Sequence, residues 1–262
     1  MGNRIDFALR PTSDPVALDA RENTMITGNT GAGKTTAVKS AMAALVGDSG
    51  PEVQFIVLNP KIVGWSDAQP RMHVYTSSDE WLQCLVGLND EIDRRYRVMA
   101  DAGISDFRAS EDMPRLMLVV EEAPAIIGSS SMLVKREADE ARSLLMRLVR
   151  MARQAGGSVW VISQSGFTES VPSGIRGNLV GRVVMRAGSD EESAAASGRP
   201  ADEVRASMLI PGEAYVLSSY TNQRFVRCRA LSPKAVDFAG VMRRKSGDKR
   251  PLIFLEERGL SG

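Results

Sequence analysis

The chain has 262 residues, a formal net charge of +1, and 43% hydrophobic, 25% charged and 5% aromatic residues. That length can bury a substantial core, and the composition is neither that of a disordered or collagen-like chain nor that of a disulfide scaffold. A charge so near zero neither requires nucleic acid nor excludes it, since a channel needs only local positive charge. Cys84 and Cys228 lack metal-ligand spacing and read as core thiols in a reducing compartment. The single histidine, His73, reads as structural, so the sequence offers no zinc site. Apolar runs such as Phe55-Ile56-Val57-Leu58 fall far short of the roughly 20 residues that cross a bilayer. No signal segment opens the chain. The expected location is cytoplasmic without direct membrane insertion, and any membrane association would run through a membrane or portal partner protein.

Residues 1–22 are polar and proline-punctuated, with a strand predicted at 5–9 and turns at Pro11 and Pro15. The apolar, β-branched run Thr24-Met25-Ile26-Thr27 then leads into Gly28-Asn29-Thr30-Gly31-Ala32-Gly33-Lys34-Thr35-Thr36, followed by a helix over 37–45. Strand, glycine-rich loop and helix in that order form a phosphate-cradling loop. Its glycines let backbone N–H groups turn toward phosphate oxygens, and the helix points its positive end at the same place. Lys34 is expected at the β- and γ-phosphates and the Thr35 hydroxyl on Mg²⁺. ATP and Mg²⁺ are the cofactors this pattern calls for.

Asp48-Ser49-Gly50-Pro51 signals a turn, and strands are predicted at 53–58 and 72–75. Thr76-Ser77-Ser78-Asp79-Glu80 is rich in N-cap residues. It opens the longest helix, to about Ala102, with Trp81, Leu82, Leu85, Leu88, Ile92, Tyr96 and Met99 on its apolar stripe. Glu91, Asp93, Arg94, Arg95 and Arg97 mark its polar face, read as solvated with local ion pairs. After a loop over 101–114, a strand at 116–120 runs into Glu121-Glu122. Residues 124–136 read as a mobile loop. A second amphipathic helix covers 137–154 and is closed by Gly156-Gly157. A strand at 158–162 ends in Ser163-Gln164. Further strands are expected at 181–187, 214–217 and 224–229, and short helices at 190–197 and 201–208. The tail from Leu231 reads as a frayed or packing extension, slightly in preference to an arm that touches DNA or a neighbouring subunit. Strands alternating with helices behind a phosphate loop give an α/β fold. Its sheet is mostly parallel and its ligand chemistry lies at the strand carboxyl ends. The expected organisation is an N-terminal strand or extension over 1–22, the nucleotide domain over 23–230 and an extension over 231–262.

Phosphoryl transfer to water needs held phosphates, a metal, a positioned water and added positive charge. Glu121 and Glu122 end an apolar strand at the edge where the phosphate loop lies. Glu121 would join Thr35 at the metal, and Glu122 would orient the attacking water. Gln164, at the end of the next strand, would report whether the γ-phosphate is present. For the positive charge the residues offer Arg176, Arg182 and Arg186, and their pattern does not choose among them.

Taken together, these motifs resemble the FtsK/SpoIIIE-type DNA translocase motor of the RecA-like additional-strand ATPases, over about residues 24–230. The resemblance rests on Gly28–Thr36, Phe55-Ile56-Val57-Leu58-Asn59-Pro60-Lys61, Asp90-Glu91-Ile92-Asp93-Arg94-Arg95-Tyr96 and Val119-Val120-Glu121-Glu122. It extends to Val161-Ile162-Ser163-Gln164, Asn178-Leu179-Val180-Gly181-Arg182-Val183 and Leu209-Ile210-Pro211-Gly212-Glu213-Ala214. It implies a RecA-like P-loop NTPase that forms a homo-oligomeric ring, usually hexameric. Such a ring threads double-stranded DNA and hydrolyses ATP between subunits, with Arg182 the finger acting in trans and Arg186 on the same strand face. Asn59 stands where the family commonly has Asp, Ser165-Gly166 where Arg-Pro is usual, and Glu121 where Asp is usual. Gly188-Ser189-Asp190-Glu191-Glu192 is acidic where relatives approach DNA. With neither a membrane anchor nor a winged-helix module in the sequence, the chain resembles compact versions from actinobacterial plasmids, integrative elements or phages. The expected work is DNA transfer, packaging or segregation. The alternative is a protein-translocating secretion ATPase on the same motor, which the near-neutral charge and the acidic segment favour. A nucleotide switch or kinase fits Gln164 and Arg182 least well.

Overall fold

The computed structural model describes residues 4–9, 15–48, 52–110, 113–232, 234 and 236–260. The strands, in chain order, are β1 (Arg4–Leu9), β2 (Pro15–Asp19), β3 (Thr24–Thr27), β4 (Val53–Leu58), β5 (His73–Tyr75), β6 (Arg115–Val120), β7 (Gly157–Ser163), β8 (Gly181–Met185), β9 (Glu213–Leu217) and β10 (Val226–Ala230). They make one sheet in the order β2-β1-β10-β9-β8-β3-β7-β6-β4-β5. From β8 to β5 every neighbouring pair is parallel. From β8 outward to β2 every pair is antiparallel. The expected mostly parallel α/β sheet is therefore present, with an antiparallel wing to which the N-terminal strands belong.

The helices are α1 (Lys34–Asp48), α2 (Ser78–Asp101), α3 (Ala123–Ile127), α4 (Lys135–Met151), α5 (Ser173–Arg176), α6 (Asp190–Ser197), α7 (Phe238–Arg244) and α8 (Ile253–Glu256). Alternate residues of the central strands point to opposite faces. Ile26, Phe55, Val57, Trp160 and Ile162 pack with Val38, Met42 and Val46 of α1 and with Phe238 and Met242 of α7. Met25, Ile56, Leu58, Val159 and Val161 pack with residues of α2, α3, α4 and α8. Both faces are covered, so these strands read as continuous apolar runs rather than alternating ones. A third, smaller cluster seats Ala196 of α6 against Val184, Ala206 and Leu209.

Where prediction and structure differ, a partner outside the local window decides. Pro15 opens β2 opposite Leu9 instead of making a turn, as an edge strand permits. Residues 124–136, expected as a loop, contain most of α3, and Arg142 donates to Ile127 O at 2.6 Å and Gly128 O at 2.9 Å. Residues 201–208 give only a turn and a short 3-10 segment, Ala206–Met208. Glu91 and Arg95 are buried, not solvated, although the expected local ion pairs do form. The Pro11 turn and most of the Asp48–Pro51 turn lie outside the described residues. α2 opens with a capping box in which Ser77 and Glu80 satisfy each other's backbone N–H.

The tail packs. Leu252, Leu255 and Leu260 are buried against α2, each worth about 1.5–3 kcal/mol when fully removed from water. Gly87 makes room for this, since a Cβ there would lie 2.8 Å from Leu255 Cδ2. No helix among the described residues is long and apolar enough to cross a membrane.

Candidate functional site

Parallel registry brings the strand ends level. Thr27 of β3 lies opposite Ser163 of β7, Val120 of β6 opposite Val161 of β7, and Leu58 of β4 opposite Val120. The residues that follow, Gly28, Gln164, Glu121-Glu122 and Asn59, share one edge.

Gly28, Gly31 and Gly33 have φ of 151°, 79° and 99°, values that side-chain-bearing residues rarely adopt. At Gly28 space is short as well, because a Cβ would meet Met185 Cβ at 2.8 Å. The loop is pinned at both flanks: Asn29 N donates to Arg186 O at 2.8 Å, and Gly212 N donates to Ala32 O at 3.0 Å. Lys34 Nζ folds under the loop, donating to Gly28 O and to Asn29 O at 3.1 Å. Burial lowers its pKa, against the pull of Glu122 and Glu121. An anion in the loop would compete with those carbonyls for the ammonium.

Glu121 is buried and accepts the Thr35 hydroxyl at 2.8 Å on Oε1. Burial raises its pKa above the ordinary carboxylate value, opposed by Thr35, Lys61 and the nearby Trp65 indole. Its Oε2 is buried without a hydrogen-bond partner. Glu122, the next residue, turns the chain with φ 56° and ψ 61° and starts α3 ahead of Pro124. Gln164 Nε2 donates to Glu122 Oε2 at 2.9 Å, and Thr30 Oγ1 donates to Gln164 Oε1 at 3.0 Å. The amide thus bridges the phosphate loop and the carboxylate.

Lys34, Thr35, Glu121, Glu122 and Gln164 are brought together by the fold. Arg182 is not. It lies in register with Met25, behind the strand ends, and its Nη2 donates to Arg176 O at 2.9 Å. Burial and the Arg176 charge lower its pKa to about 10, which leaves it charged near neutrality. Arg176 is spent on Gly166 O. β8 ends at Met185, so Arg186 lies one residue beyond the strand that carries Arg182 instead of on its face; Arg186 is exposed, with its carbonyl on the phosphate loop. The acidic segment forms the first turn of α6. Ser189 caps it, and Glu192 Oε2 accepts Gly188 N at 2.6 Å.

Lys61 is the site residue that sequence reasoning passed over. Its Nζ lies 3.1 Å from Glu122 Oε2. The motif Asn59-Pro60-Lys61 was visible, but nothing in the sequence says that β4 lies beside β6.

Mg²⁺ prefers oxygen ligands and is usually held by one or two carboxylates together with phosphates. A Thr35 hydroxyl paired with Glu121, whose second oxygen is orphaned, fits that ion. Among the described residues no group of three or more His, Cys, Asp or Glu side chains could hold a metal unaided.

The FtsK/SpoIIIE family model matches residues 3–166. Among curated proteins, the DNA translocase FtsK of Campylobacter jejuni strain 81-176 is 24% identical over 183 residues, spanning 64% of this chain and 19% of its own length. The chain therefore corresponds to about a fifth of that relative. The solved structure of the pCW3 conjugation coupling protein TcpA, a monomer form with ATPgS, superimposes with a TM-score of 0.78 at 14% identity, over 93% of this chain and 70% of that one. The cytoplasmic domain of the Thermomonospora curvata Type VII Secretion ATPase EccC superimposes with a TM-score of 0.75 at 21% identity, over 95% of this chain and 31% of that one. At these identities the two structures show a shared fold.

Proposed function

This chain belongs to the FtsK/SpoIIIE family, and on that premise we propose that it hydrolyses ATP with Mg²⁺ to move double-stranded DNA, working as a ring of identical subunits. The observation that carries the reading is the convergence of Lys34, Thr35, Glu121, Glu122 and Gln164 at one sheet edge. Lys34 and the loop amides hold the β- and γ-phosphates. Thr35 and Glu121 would hold Mg²⁺, which would supply neutralisation of phosphate charge. Glu122 orients and deprotonates a water, and Gln164 links that carboxylate to the loop that feels the γ-phosphate.

Two observations support an assembly. Within one chain Arg176 and Arg182 are bonded to backbone carbonyls and Arg186 is exposed beside the phosphate loop, and for the added positive charge Arg182 of a neighbouring copy is our choice. The nucleotide edge is also rimmed by exposed apolar side chains: Ile62 is 85% exposed, Val63 76% and Met208 73%. A hexamer is the expected ring.

Long duplex DNA should stimulate hydrolysis several-fold, and the stimulation should fall steeply with added salt as phosphate contacts are screened. No binding and no stimulation at low salt would remove the DNA reading. Stimulation by a polypeptide substrate instead would favour the secretion reading, for which the acidic turn of α6 speaks.

A further inference from the structure

We propose that Lys61 is a positioning residue for Glu122, fixing one carboxylate oxygen so that the other is left to take the proton of the attacking water. The inference rests on the reading of Glu122 as the water-orienting group. Lys61 Nζ and Gln164 Nε2 approach the same atom, Oε2, at 3.1 and 2.9 Å. Oε1 takes no hydrogen bond among the described residues. Glu122 also has a left-handed backbone, unusual for a residue with a long side chain. Its carboxylate is aimed by that backbone and by its partners, not by strand geometry.

The element that presents Lys61 is built for it. Asn59, 1% exposed, accepts the Lys61 N–H at 3.0 Å and donates to the carbonyls of Lys61 and Val63. Pro60 and the positive φ of Gly64 close the turn. A buried amide thus uses both its N–H groups and its oxygen to hold that turn. Stability does not account for the arrangement. The lysine side chain is 53% exposed and that of Glu122 13%, and a pair with one solvated partner contributes on the order of 1 kcal/mol.

Gln164 cannot do the work alone. When its amide turns to a γ-phosphate it leaves Oε2, and Lys61 then keeps the carboxylate in place. Among the described residues the Lys61 ammonium makes its direct ion pair with Glu122, while Glu121 feels its charge only at longer range. Lys34 already serves the phosphates, so a second lysine is available for the carboxylate.

The test is ATP hydrolysis by the full chain, with and without long duplex DNA, for Lys61→Met, Lys61→Gln and Lys61→Arg, each also combined with Glu122→Gln. Single-turnover rates and ATPγS affinity are measured alongside. Lys61→Met and Lys61→Gln should lower kcat roughly 10- to 100-fold, as misplacement of a reacting group by about an ångström does. KM and ATPγS affinity should change less than about threefold, Lys61→Arg should recover most of the rate, and melting temperature should barely move. In the Glu122→Gln background Lys61→Met should cost nothing more. Unchanged kcat, equal losses in both backgrounds, or weakened ATPγS binding with kcat retained would each overturn the proposal. The two readings fail differently: wild-type turnover by Glu122→Gln removes the role of Glu122 itself. Slow Glu122→Gln together with fast Lys61→Met removes only the role of Lys61.

Discussion

Glu121 and Glu122 are adjacent in the chain and have different partners. Glu121 faces inward, with its proton affinity raised by burial and one oxygen on Thr35. Glu122, less deeply buried with its side chain 13% exposed, lies within reach of Lys61 and Gln164. Their expected phenotypes differ accordingly. Lys34→Ala should abolish turnover by removing phosphate charge, whereas Glu122→Gln should bind ATP and hold it unhydrolysed, which filter binding of labelled nucleotide would register. His73 makes a prediction about pH. It is 4% exposed, and its Nε2–H donates to Arg250 O at 3.0 Å. Burial, aided by the Lys249 charge, pushes its pKa down to about 4 from 6.5. The unfolded chain therefore binds the proton first as pH falls. Stability from this residue is intact above about pH 6.5 and is lost progressively toward pH 4, by up to about 3 kcal/mol. Urea unfolding between pH 4 and 8 should show that slope in the wild type and lose it in His73→Gln.

At the scale of the element, α2 carries the largest surprise. Its charged residues have helical spacing suited to a solvated face, yet Glu91 and Arg95 lie inside, with Arg95 donating to Glu91 at 2.7 Å and to Ala155 O at 3.1 Å. Burial by itself would raise the Glu91 pKa, but bonds from Arg94 and Arg95 more than offset it, and the carboxyl lies below its ordinary value. The Arg95 guanidinium stacks 5.2 Å from the Phe107 ring, which comes from the loop after α2. Magnitudes separate the buried Glu91–Arg95 pair from the half-exposed Arg94. Glu91→Ala strands a buried charge and should cost about 3–5 kcal/mol. Arg94→Ala removes a half-exposed partner and should cost under about 1 kcal/mol. Denaturant midpoints for the two variants would show the difference, and equal losses would mean that the pair is not insulated from solvent.

For the whole molecule, the open question is what completes the site. The single chain provides the phosphate loop, the Thr35–Glu121 pair proposed for the metal, the Glu122 carboxylate and the Gln164 amide, and leaves Arg182 bonded to Arg176 O away from them. If Arg182 acts across a boundary between copies, hydrolysis should rise more steeply than in proportion to protein concentration. Arg182→Ala and Lys34→Ala, each inactive alone, should regain activity when mixed, because some boundaries then pair an intact loop with an intact arginine. A monomer at full activity would end that assignment.

The sequence by itself determined most of the central strands and long helices and the class of chemistry. Phosphate loop, apolar strands, capped helices and the Glu121-Glu122 pair are encoded in local spacing, where propensity, periodicity and glycine conformation act over a few residues. It also carried the parallel sheet, because strands that alternate with helices have few other ways to bury both faces. Tertiary structure decided the contacts between residues far apart in the chain. Strand order put β7 between β3 and β6, so that Gln164 spans Thr30 and Glu122. It set β4 beside β6, which brought Lys61 to Glu122 across 61 positions of sequence. It folded the tail over α2 and buried a charge pair that local pattern assigned to water. Such pairings depend on which strands become neighbours, a choice made by the packing of the entire core and not written in any short stretch of the chain.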